Sequence, residues 1–460
     1  ELVVPMYAEC FEALGAALWA SQQPPRPLMP IEDLFPRLCT SFTFLPPLST
    51  HESFVSFIPA ETESPKPHDE CILGLDVGST TTKAVLLRTT DCSVTASVYL
   101  RTNGDPIGAS RKCYASLAEQ VGTTPVDIIG LGTTGSGRHI AGIHALTENV
   151  INEITAHAAA ARYVDKDVDT VFEIGGQDAK YTHLVNGVAT DYAMNEACSA
   201  GTGSFLEEAA GENLEVAMTE IAPLALRAER PLNFSDECAA FIASDINSAV
   251  HEGFDGEDIV AGIVYSICMN YLNRVKQNRP VGNKILMQGG VCYNKAVPVA
   301  MAGLTDREII VPPEPGLMGA FGVALEVKQR IDLKLAERGS YSLADLASRE
   351  VTYKKPFICS GGKEGCDRRC EVSHIEVAGR TFPFGGSCRK YENIRLNRSA
   401  NPSEHDHVVA RAQRVFEKKK DSDTAERLDT PPVRIGVMNS FLTHVYYPLF
   451  SEFFSCLGAE

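Results

Sequence analysis

Two segments of the chain share one pattern of hydrophobic and polar positions. An apolar, β-rich run over Ile72–Leu75 ends in a polar turn and continues as a second extended run, and Val171–Ile174 begins the same succession further along the chain. Short apolar runs bounded by Asp, Gly, Ser and Thr are typical of strands joined by tight turns. Each segment therefore predicts a strand–turn–strand hairpin. Residues 180–195 predict a further hairpin, because Asn186 and Gly187 form a favoured two-residue turn.

The residues of the first two turns favour phosphate binding. Glycine lets the backbone approach a phosphate, while backbone amides and hydroxyl groups donate hydrogen bonds to it. Two such hairpins can hold a polyphosphate from opposite sides, with Asp76 and Asp178 as oxygen ligands of Mg²⁺. Gln177 or Asp178 is the candidate for orienting the water that attacks the phosphate. The first loop comprises Asp76, Gly78, Ser79, Thr80, Thr81 and Lys83, and the second comprises Gly175, Gly176, Gln177 and Asp178.

The alternative is a pair of ordinary hairpins with polar turns. A Ser-Thr-Thr-Thr-Lys run inside a turn has no core-packing role, which favours the phosphate-binding interpretation. No G-x-x-x-x-G-K-[ST] loop is present in the sequence. Lys83 is expected on the second strand of its hairpin, where it either reaches a phosphate or faces solvent.

A third segment predicts an adenosine or α-phosphate contact. Gly289, Gly290 and Asn294 follow the apolar strand Lys284–Met287 and open a helix. A Gly-Gly turn at a helix N-terminus suits a phosphate. Without the two hairpins, a plain strand-to-helix turn would be the better interpretation.

Three residues near these segments have less specific roles. Glu153 lies on a predicted helix and either takes part in hydrolysis and metal–water contacts or is an exposed helical acid. His139 and His157 are expected to be structural rather than catalytic.

Two cysteines precede helical stretches of small residues. Cys198 and Cys238 would each lie near the positive end of a helix, which lowers the pKa of a thiol. A free buried cysteine is the commoner role for a single residue of this type.

Four more cysteines form a compact module. Cys359, Cys366, Cys370 and Cys388 follow the spacing C-x6-C-x3-C-x17-C around a predicted β-hairpin. Such a module binds zinc or an iron–sulfur cluster, although the first gap is longer than that of a usual zinc knuckle. Surface cysteines without metal are the alternative.

Taken together, the motifs resemble a known superfamily and one branch of it. LGLDVGSTTTKAVLL and FEIGGQDAKY resemble the two phosphate loops of the actin, sugar-kinase and Hsp70-like ATPases. NEITAHAAAA, NEACSAGTGSFLEEAA, CAAFIASDI and GGVCYNKAV are together similar to the activator family of 2-hydroxyacyl-CoA dehydratases and benzoyl-CoA-reductase-type ATPases (BadF/BadG/BcrA/BcrD-like). The resemblance covers residues 70–330 and implies an α/β fold of two ribonuclease-H-like lobes.

The resemblance also implies a function and a cofactor. It implies an ATPase that drives a low-potential electron from a [4Fe–4S] cluster to an acyl-CoA dehydratase or reductase, with ferredoxin or flavodoxin as electron donor. Cys198 and Cys238 coincide with the family's cluster cysteines, and Gly201, Thr202 and Gly203 lie in the same motif. Because two cysteines cannot complete a four-thiolate cluster, a homodimer or a pseudo-dimer with an upstream repeat is expected. The alternatives are a small-molecule kinase of the same fold and a nucleotide-binding switch without a redox role.

The amino-acid composition restricts the classes of partner that the protein is expected to bind. The net charge of −17 argues against nucleic-acid and anionic-membrane partners, and the 460 residues contain no apolar run long enough to span a membrane. Fourteen cysteines without an export signal indicate a reducing cytoplasm, and an oxygen-sensitive cluster would imply an anaerobic host.

The expected organisation follows from these segments and from an internal repeat. Residues 1–20 align without gaps with residues 308–327, which predicts that they are the tail of an upstream ATPase repeat. The remaining expected regions are a proline-rich linker at 21–69, the ATPase domain at 70–330, a helical connector at 331–350, the Cys-rich metal module at 351–400, a polar linker at 401–432 and, at 433–460, the truncated start of a dehydratase-activase-related α/β domain with a strand at Arg434–Val437.

Overall fold

The computed structural model describes residues 7–24, 42–60, 63–195, 201–236, 239–361, 366–388, 390–391, 406–416, 433–438, 443–457 and 459. The chain divides into two compact units, residues 1–350 and residues 351–460. The strands are β1 (Val55–Phe57), β2 (Asp69–Val77), β3 (Thr81–Arg88), β4 (Val94–Arg101), β5 (Val126–Thr134), β6 (Thr170–Ile174), β7 (Ala179–Val185), β8 (Val188–Met194), β9 (Ile285–Gln288), β10 (Ile309–Val311), β11 (Val351–Ile358), β12 (Glu371–Val377) and β13 (Arg380–Gly385).

Most of the described helices lie in the first unit. The α-helices are α1 (Phe11–Ser21), α2 (Pro106–Val121), α3 (Arg138–Ala145), α4 (Glu153–Val164), α5 (Gly203–Leu214), α6 (Met218–Arg227), α7 (Ala239–Glu252), α8 (Gly256–Asn270), α9 (Ala296–Thr305), α10 (Met318–Asp332), α11 (Leu343–Ser348), α12 (His407–Phe416) and α13 (Thr443–Cys456). Short 3-10 helices lie at Ala8–Cys10, Leu48–Phe54, Gly290–Tyr293 and Pro315–Leu317, and a π-helix lies at Tyr271–Lys276. No helix among the described residues is long and apolar enough to cross a membrane.

The first unit contains two sheets with the same core topology. In the sheet β4-β3-β2-β5, strands β2 to β4 are antiparallel and β5 lies parallel to β2. In the sheet β8-β7-β6-β9-β10-β1, strands β6 to β8 are antiparallel, and β9, β10 and β1 continue in parallel. Each sheet is thus the core of a ribonuclease-H-like lobe, as the sequence predicts. We call them the first lobe (β2–β5) and the second lobe (β6–β10 with β1).

The central strand of each lobe is covered on both faces. In β2, Leu73 and Leu75 pack into one buried cluster with α2, while Ile72 packs on the other face against α10. The sequence of such a strand is a continuous run of apolar residues, because neither of its faces is exposed to water. The polar turn at its end is therefore held at a fixed position.

Two helices connect the lobes. Helix α10 packs on β2, β3 and β5 of the first lobe, and α4 packs on α10 and on β7 and β8 of the second. The two helices approach closely because Gly322 faces the backbone of Ala156, where a Cβ atom would overlap its carbonyl oxygen. A tightly packed helix pair thus joins the two lobes.

Three expected boundaries need correction. Within the expected linker 21–69, β1 pairs in parallel with β10 as the edge of the second sheet, because Val55 and Phe57 supply a short half-buried strand. Within the expected connector 331–350, Leu343 and Leu346 of α11 are buried in the core of the first lobe. The expected strand Arg434–Val437 is irregular, and its described side chains are exposed.

The second unit begins with a three-stranded antiparallel sheet of order β11-β12-β13. The predicted hairpin is β12–β13, with Ala378 and Gly379 at positive φ angles of 48° and 73° in its two-residue turn. Helices α12 and α13 pack against each other.

Candidate functional site

The two predicted phosphate loops have the same backbone geometry. In the first, the Gly78 amide donates to the Thr81 carbonyl over 2.9 Å, and in the second the Gly175 amide donates to the Asp178 carbonyl over 2.8 Å. The segments D-V-G-S-T-T-T-K and E-I-G-G-Q-D-A-K therefore correspond residue for residue as tight turns between paired strands.

Each loop is flanked by an ion pair between its two strands. Asp76 lies opposite Lys83 in the β2–β3 register, with 3.2 Å between their charged atoms. Glu173 lies opposite Lys180 in the β6–β7 register, at 3.1 Å. All four side chains are at most 15 % exposed. Lys83 thus faces the cleft, not bulk solvent.

The two loops face each other across the cleft between the lobes. A Cβ atom at Gly176 would lie 3.3 Å from the Thr80 methyl group, so the loops already touch. A polyphosphate bound between them would therefore contact both loops at once. The cleft is lined by residues of both loops together with Gly135, Ser136, Glu153, His157, Gly289, Gly290, Pro315 and Gly316.

Two of the loop segments carry a buried polar atom that has no partner within the described part of the chain. The Thr80 hydroxyl lines the cleft, and the Asn294 amide nitrogen follows the Gly289-Gly290 turn. Buried polar groups in native proteins are nearly always hydrogen-bonded, so unpartnered ones in a cleft indicate a ligand. The first loop therefore fits a polar, oxygen-rich ligand such as a triphosphate.

The Gly289-Gly290 segment lies where strand β9 ends. Gly289 has a φ of 99°, and its amide donates to the Pro315 carbonyl over 2.8 Å. The Asn294 side-chain oxygen accepts from the Ala296 amide at 3.1 Å, at the first residue of α9. Of the third predicted segment, Gly289 and Gly290 line the cleft.

The Gly201–Gly203 motif contacts the second loop. The amides of Gly203 and Ser204 donate to the carbonyls of Gly175 and Gly176, both over 2.8 Å. Gly201 has a φ of 63° and lies against the backbone of Tyr271. The first amides of α5 are therefore bound to the loop itself, and Gly203 positions the loop. Thr202 is fully buried beside them.

A buried charged network underlies the second loop. The Lys180 ammonium lies 3.1 Å from Glu173 and 3.7 Å from Glu153, and the His157 ring lies 3.2 Å from Glu173. Burial would raise the pKa of Glu173, but His157 and Lys180 outweigh it and hold that pKa well below its usual range. Burial disfavours charge on Lys180 and His157, yet the carboxylates raise both pKa values. Glu173 and Lys180 therefore keep their charges although they are buried.

Gln288 completes this network. Its amide lies 2.8 Å from His157 Nδ1, and its Oε1 is buried without a partner among the described residues. Which of the two groups donates depends on the protonation of the imidazole, and the Gln288 amide can present either its nitrogen or its oxygen to the ring.

Sequence reasoning missed part of this site. It did not single out Glu173, Lys180 or Gln288. The repeated pattern acid-x-Gly-x4-Lys in the two loops was the signal that could have found Glu173 and Lys180. Gly135 was also missed, although its place is strained for other residues, at φ 86° with Asp76 against it.

The predicted metal-binding cysteines are placed only in part. Cys198 and Cys238 lie outside the described residues; α7 begins directly after Cys238, and α5 and α7 pack against each other. Cys359, Cys366, Cys370 and Cys388 are all described. Within the described ranges, no three His, Cys, Asp or Glu side chains are arranged as a metal-ligand set.

Fold and site together define an ATPase of the actin/Hsp70/sugar-kinase-like class, with two phosphate loops facing across an interlobe cleft. Residues 73–327 match the model of the BadF/BadG/BcrA/BcrD ATPase family. The chain belongs to that family.

Relatives and solved structures agree with this assignment. The chain is 34 % identical over 254 residues to the 2-hydroxyisocaproyl-CoA dehydratase activator of Clostridioides difficile, covering 55 % of this chain and 93 % of the relative. It is 32 % identical over 256 residues to the (R)-2-hydroxyglutaryl-CoA dehydratase activating ATPase of Acidaminococcus fermentans, covering 55 % and 95 %. The crystal structure of the latter dehydratase's component A has a TM-score of 0.52 at 29 % identity, covering 57 % of this chain and 99 % of that one. An activator of the 2-hydroxyisocaproyl-CoA dehydratase from Clostridium difficile with bound ADPNP has a TM-score of 0.53 at 32 % identity, covering 59 % and 100 %.

Proposed function

We propose that this chain hydrolyses ATP to drive a low-potential electron from a [4Fe–4S] cluster to an acyl-CoA dehydratase or a related reductase. One observation carries the proposal. Helix α5, which follows the segment with Cys198, is hydrogen-bonded through Gly203 and Ser204 to the carbonyls of the second phosphate loop. A shift of that loop on nucleotide binding would move the start of α5, and with it the chain next to Cys198.

Different residues of the cleft would bind Mg²⁺, bind the phosphates, orient the attacking water and contact the adenosine. Asp76 and Asp178 would hold Mg²⁺, and the amides and hydroxyls of the two loops would bind the phosphates. Lys83 and Lys180 place positive charge on either side of the phosphates. Gln177, Asp178 and Glu153 are the candidates for orienting the attacking water, because hydrolysis needs an in-line nucleophile rather than a covalent intermediate. Gly289, Gly290 and Asn294 would contact the adenosine or its α-phosphate.

Cys198 and Cys238 would supply two thiolates to the cluster. A [4Fe–4S] cluster supplies one-electron chemistry and needs four thiolates, so a second copy of the chain or an equivalent repeat would provide the other two. The named activities of the relatives support a dehydratase or reductase as electron acceptor. A reduced ferredoxin or flavodoxin would restore the cluster, in a cytoplasm kept free of oxygen.

Iron analysis and electron paramagnetic resonance of anaerobically purified protein test this proposal. We expect a reducible [4Fe–4S] signal in the parent and its loss in Cys198→Ser and in Cys238→Ser. ATP affinity should stay unchanged in both variants, because the phosphate loops do not include these residues. Cys92→Ser, which changes a half-buried cysteine of the first lobe, is the matched control and should keep the signal.

The same measurement separates the competing functions. Parent protein that binds ATP but holds no iron would contradict the electron-donor role and favour a nucleotide-binding switch. Retention of the full signal in either variant would remove Cys198 and Cys238 from the cluster.

A further inference from the structure

The three-stranded sheet of the second unit brings four cysteines to one of its ends. Cys359 directly follows β11, Cys370 directly precedes β12, and Cys388 lies three residues after the end of β13. Cys366 lies in the connection between β11 and β12. Because β11 and β13 both flank β12 as antiparallel neighbours, the end of β11, the start of β12 and the end of β13 coincide.

The backbone at this end is closely packed around the cysteines. Cys359 lies opposite Cys370, and its amide donates to the Cys370 carbonyl over 2.8 Å. Gly361, at a φ of 81°, packs against the backbone of Cys366 so closely that a Cβ atom would overlap the Cys366 carbonyl. A Cβ atom at Gly386 would lie 3.9 Å from Cys370 Cβ. Glycines at these two places let three chain segments approach one another.

Hydrogen-bond donors are directed at two of the sulfur atoms. The Ser387 amide donates to Cys370 Sγ at 3.5 Å, and the Gly361 amide and the Tyr391 hydroxyl bond to the Cys359 thiol. Donors to sulfur are the surroundings that stabilise metal-bound thiolates. A free surface cysteine needs no such shell.

The apolar core of this sheet is small. Over residues 351–361 and 366–388, the fully buried side chains are those of Val372, Ile375 and Val377. A small sheet with so little buried area is commonly stabilised by a disulfide or a structural metal. In a reducing compartment a metal is the stabiliser that persists.

We infer that Cys359, Cys366, Cys370 and Cys388 form a four-thiolate site for one zinc ion at this end of the sheet. The Cys366-x3-Cys370 spacing falls within the range of a zinc knuckle, and β12–β13 is the hairpin of a metal ribbon. No three of these thiols already form a ligand set in the described part of the chain, so their side chains must rotate to close it around one ion. Two of the thiols are half-buried and two are exposed.

Metal analysis of the full-length chain, purified after growth with zinc and iron, tests this inference. We expect one zinc per chain in the parent and near-complete loss in Cys359→Ser, Cys366→Ser, Cys370→Ser and Cys388→Ser. Cys456→Ser, which changes an exposed cysteine of the same unit, is the matched control and should retain the zinc. Iron at any other site does not affect the zinc count.

A second measurement on the parent protein needs no variant and so does not depend on the variants' folding. Alkylation followed by mass spectrometry should label Cys456 at once and the four clustered thiols only after a zinc chelator is added. Equal labelling without chelator, iron in place of zinc in the parent at these four thiols, or a Cys359–Cys370 disulfide would each overturn the inference.

Discussion

Lys180 carries its charge inside the second lobe, where its side chain is 4 % exposed between Glu173 and Glu153. Its place follows from the β6–β7 register, which sets it opposite Glu173 just as β2–β3 sets Lys83 opposite Asp76. Buried ions need partners, because an unpaired buried charge has lost its hydration without compensation. The structure of the second loop therefore depends on this network. The network would also place charge near the phosphates.

Lys180→Met tests this role. The change leaves Glu173 and Glu153 without their shared cation, and we expect the free energy of unfolding to fall by about 3–5 kcal/mol. Chemical denaturation of the full chain measures it. Lys284→Met is the matched control in the same lobe: Lys284 is 38 % exposed in its ion pair with Asp165, so we expect little or no loss of stability. Equal losses in the two variants would contradict the buried network.

The sequence allowed the loop residues to be predicted, but not the groups beneath them. Asp76, Gly78 and Gly175 stand in turns whose composition signals their role, and the structure places both loops at the cleft. Glu173, His157 and Gln288 come from β6, α4 and β9, which are distant in sequence. Their contact depends on tertiary packing, which periodicity and turn chemistry do not encode.

At the level of elements, the internal repeat is reproduced in structure. The 3-10 helix Ala8–Cys10 and α1 align residue for residue with the 3-10 helix Pro315–Leu317 and the start of α10. The surroundings of the two copies differ. Gly322 in α10 lies against the Ala156 carbonyl, whereas a Cβ atom added at its counterpart Gly15 in α1 would meet no described atom within 4 Å. The local sequence therefore determines that a helix forms, whereas tertiary packing determines which contacts its small residues make.

Gly322→Ala tests the packing of α10 on α4. The added methyl group overlaps a backbone atom that cannot move alone, so the helices must separate at a cost of about 1–3 kcal/mol. Thermal unfolding should show a lower melting temperature, and the affinity for ATP should change because α4 carries Glu153 and His157. Gly15→Ala is the control, with an expected effect within about 0.5 kcal/mol. An unchanged melting temperature in Gly322→Ala would show that the helix pair is looser than the structure indicates.

Element boundaries were predicted less well where strands are short or helices amphipathic. The edge strand β1 is three residues long and lies in a proline-rich stretch, so it carries little periodic signal. It is fixed by pairing with β10 rather than by its own sequence. Arg434–Val437 has the residues of a strand but no neighbouring strand among the described residues, and it remains irregular.

At the scale of the molecule, the lobes of residues 1–350 are joined by the α4–α10 helix pair, by the two loops in contact and by the Tyr99–Tyr293 ring pair. A triphosphate bound between the loops would contact both lobes and would push them apart where the loops touch. The second loop is joined to α5, so lobe movement would reach the region of Cys198. Coupling of this kind requires that the two loops form a single Mg²⁺–ATP site.

Steady-state ATP hydrolysis by Asp76→Asn at saturating Mg²⁺ tests that requirement most directly. Asparagine keeps the shape of the side chain beside Lys83 but removes the carboxylate charge, so we expect hydrolysis to fall by about 100-fold or more. Because Lys83 loses its buried partner, the melting temperature should also fall, and hydrolysis is therefore compared at a temperature at which both proteins are fully folded. Asp127→Asn, which changes an exposed acid of the first lobe, should hydrolyse ATP at the parent rate. Hydrolysis at the parent rate in Asp76→Asn would contradict the assignment of this cleft as the site of ATP hydrolysis.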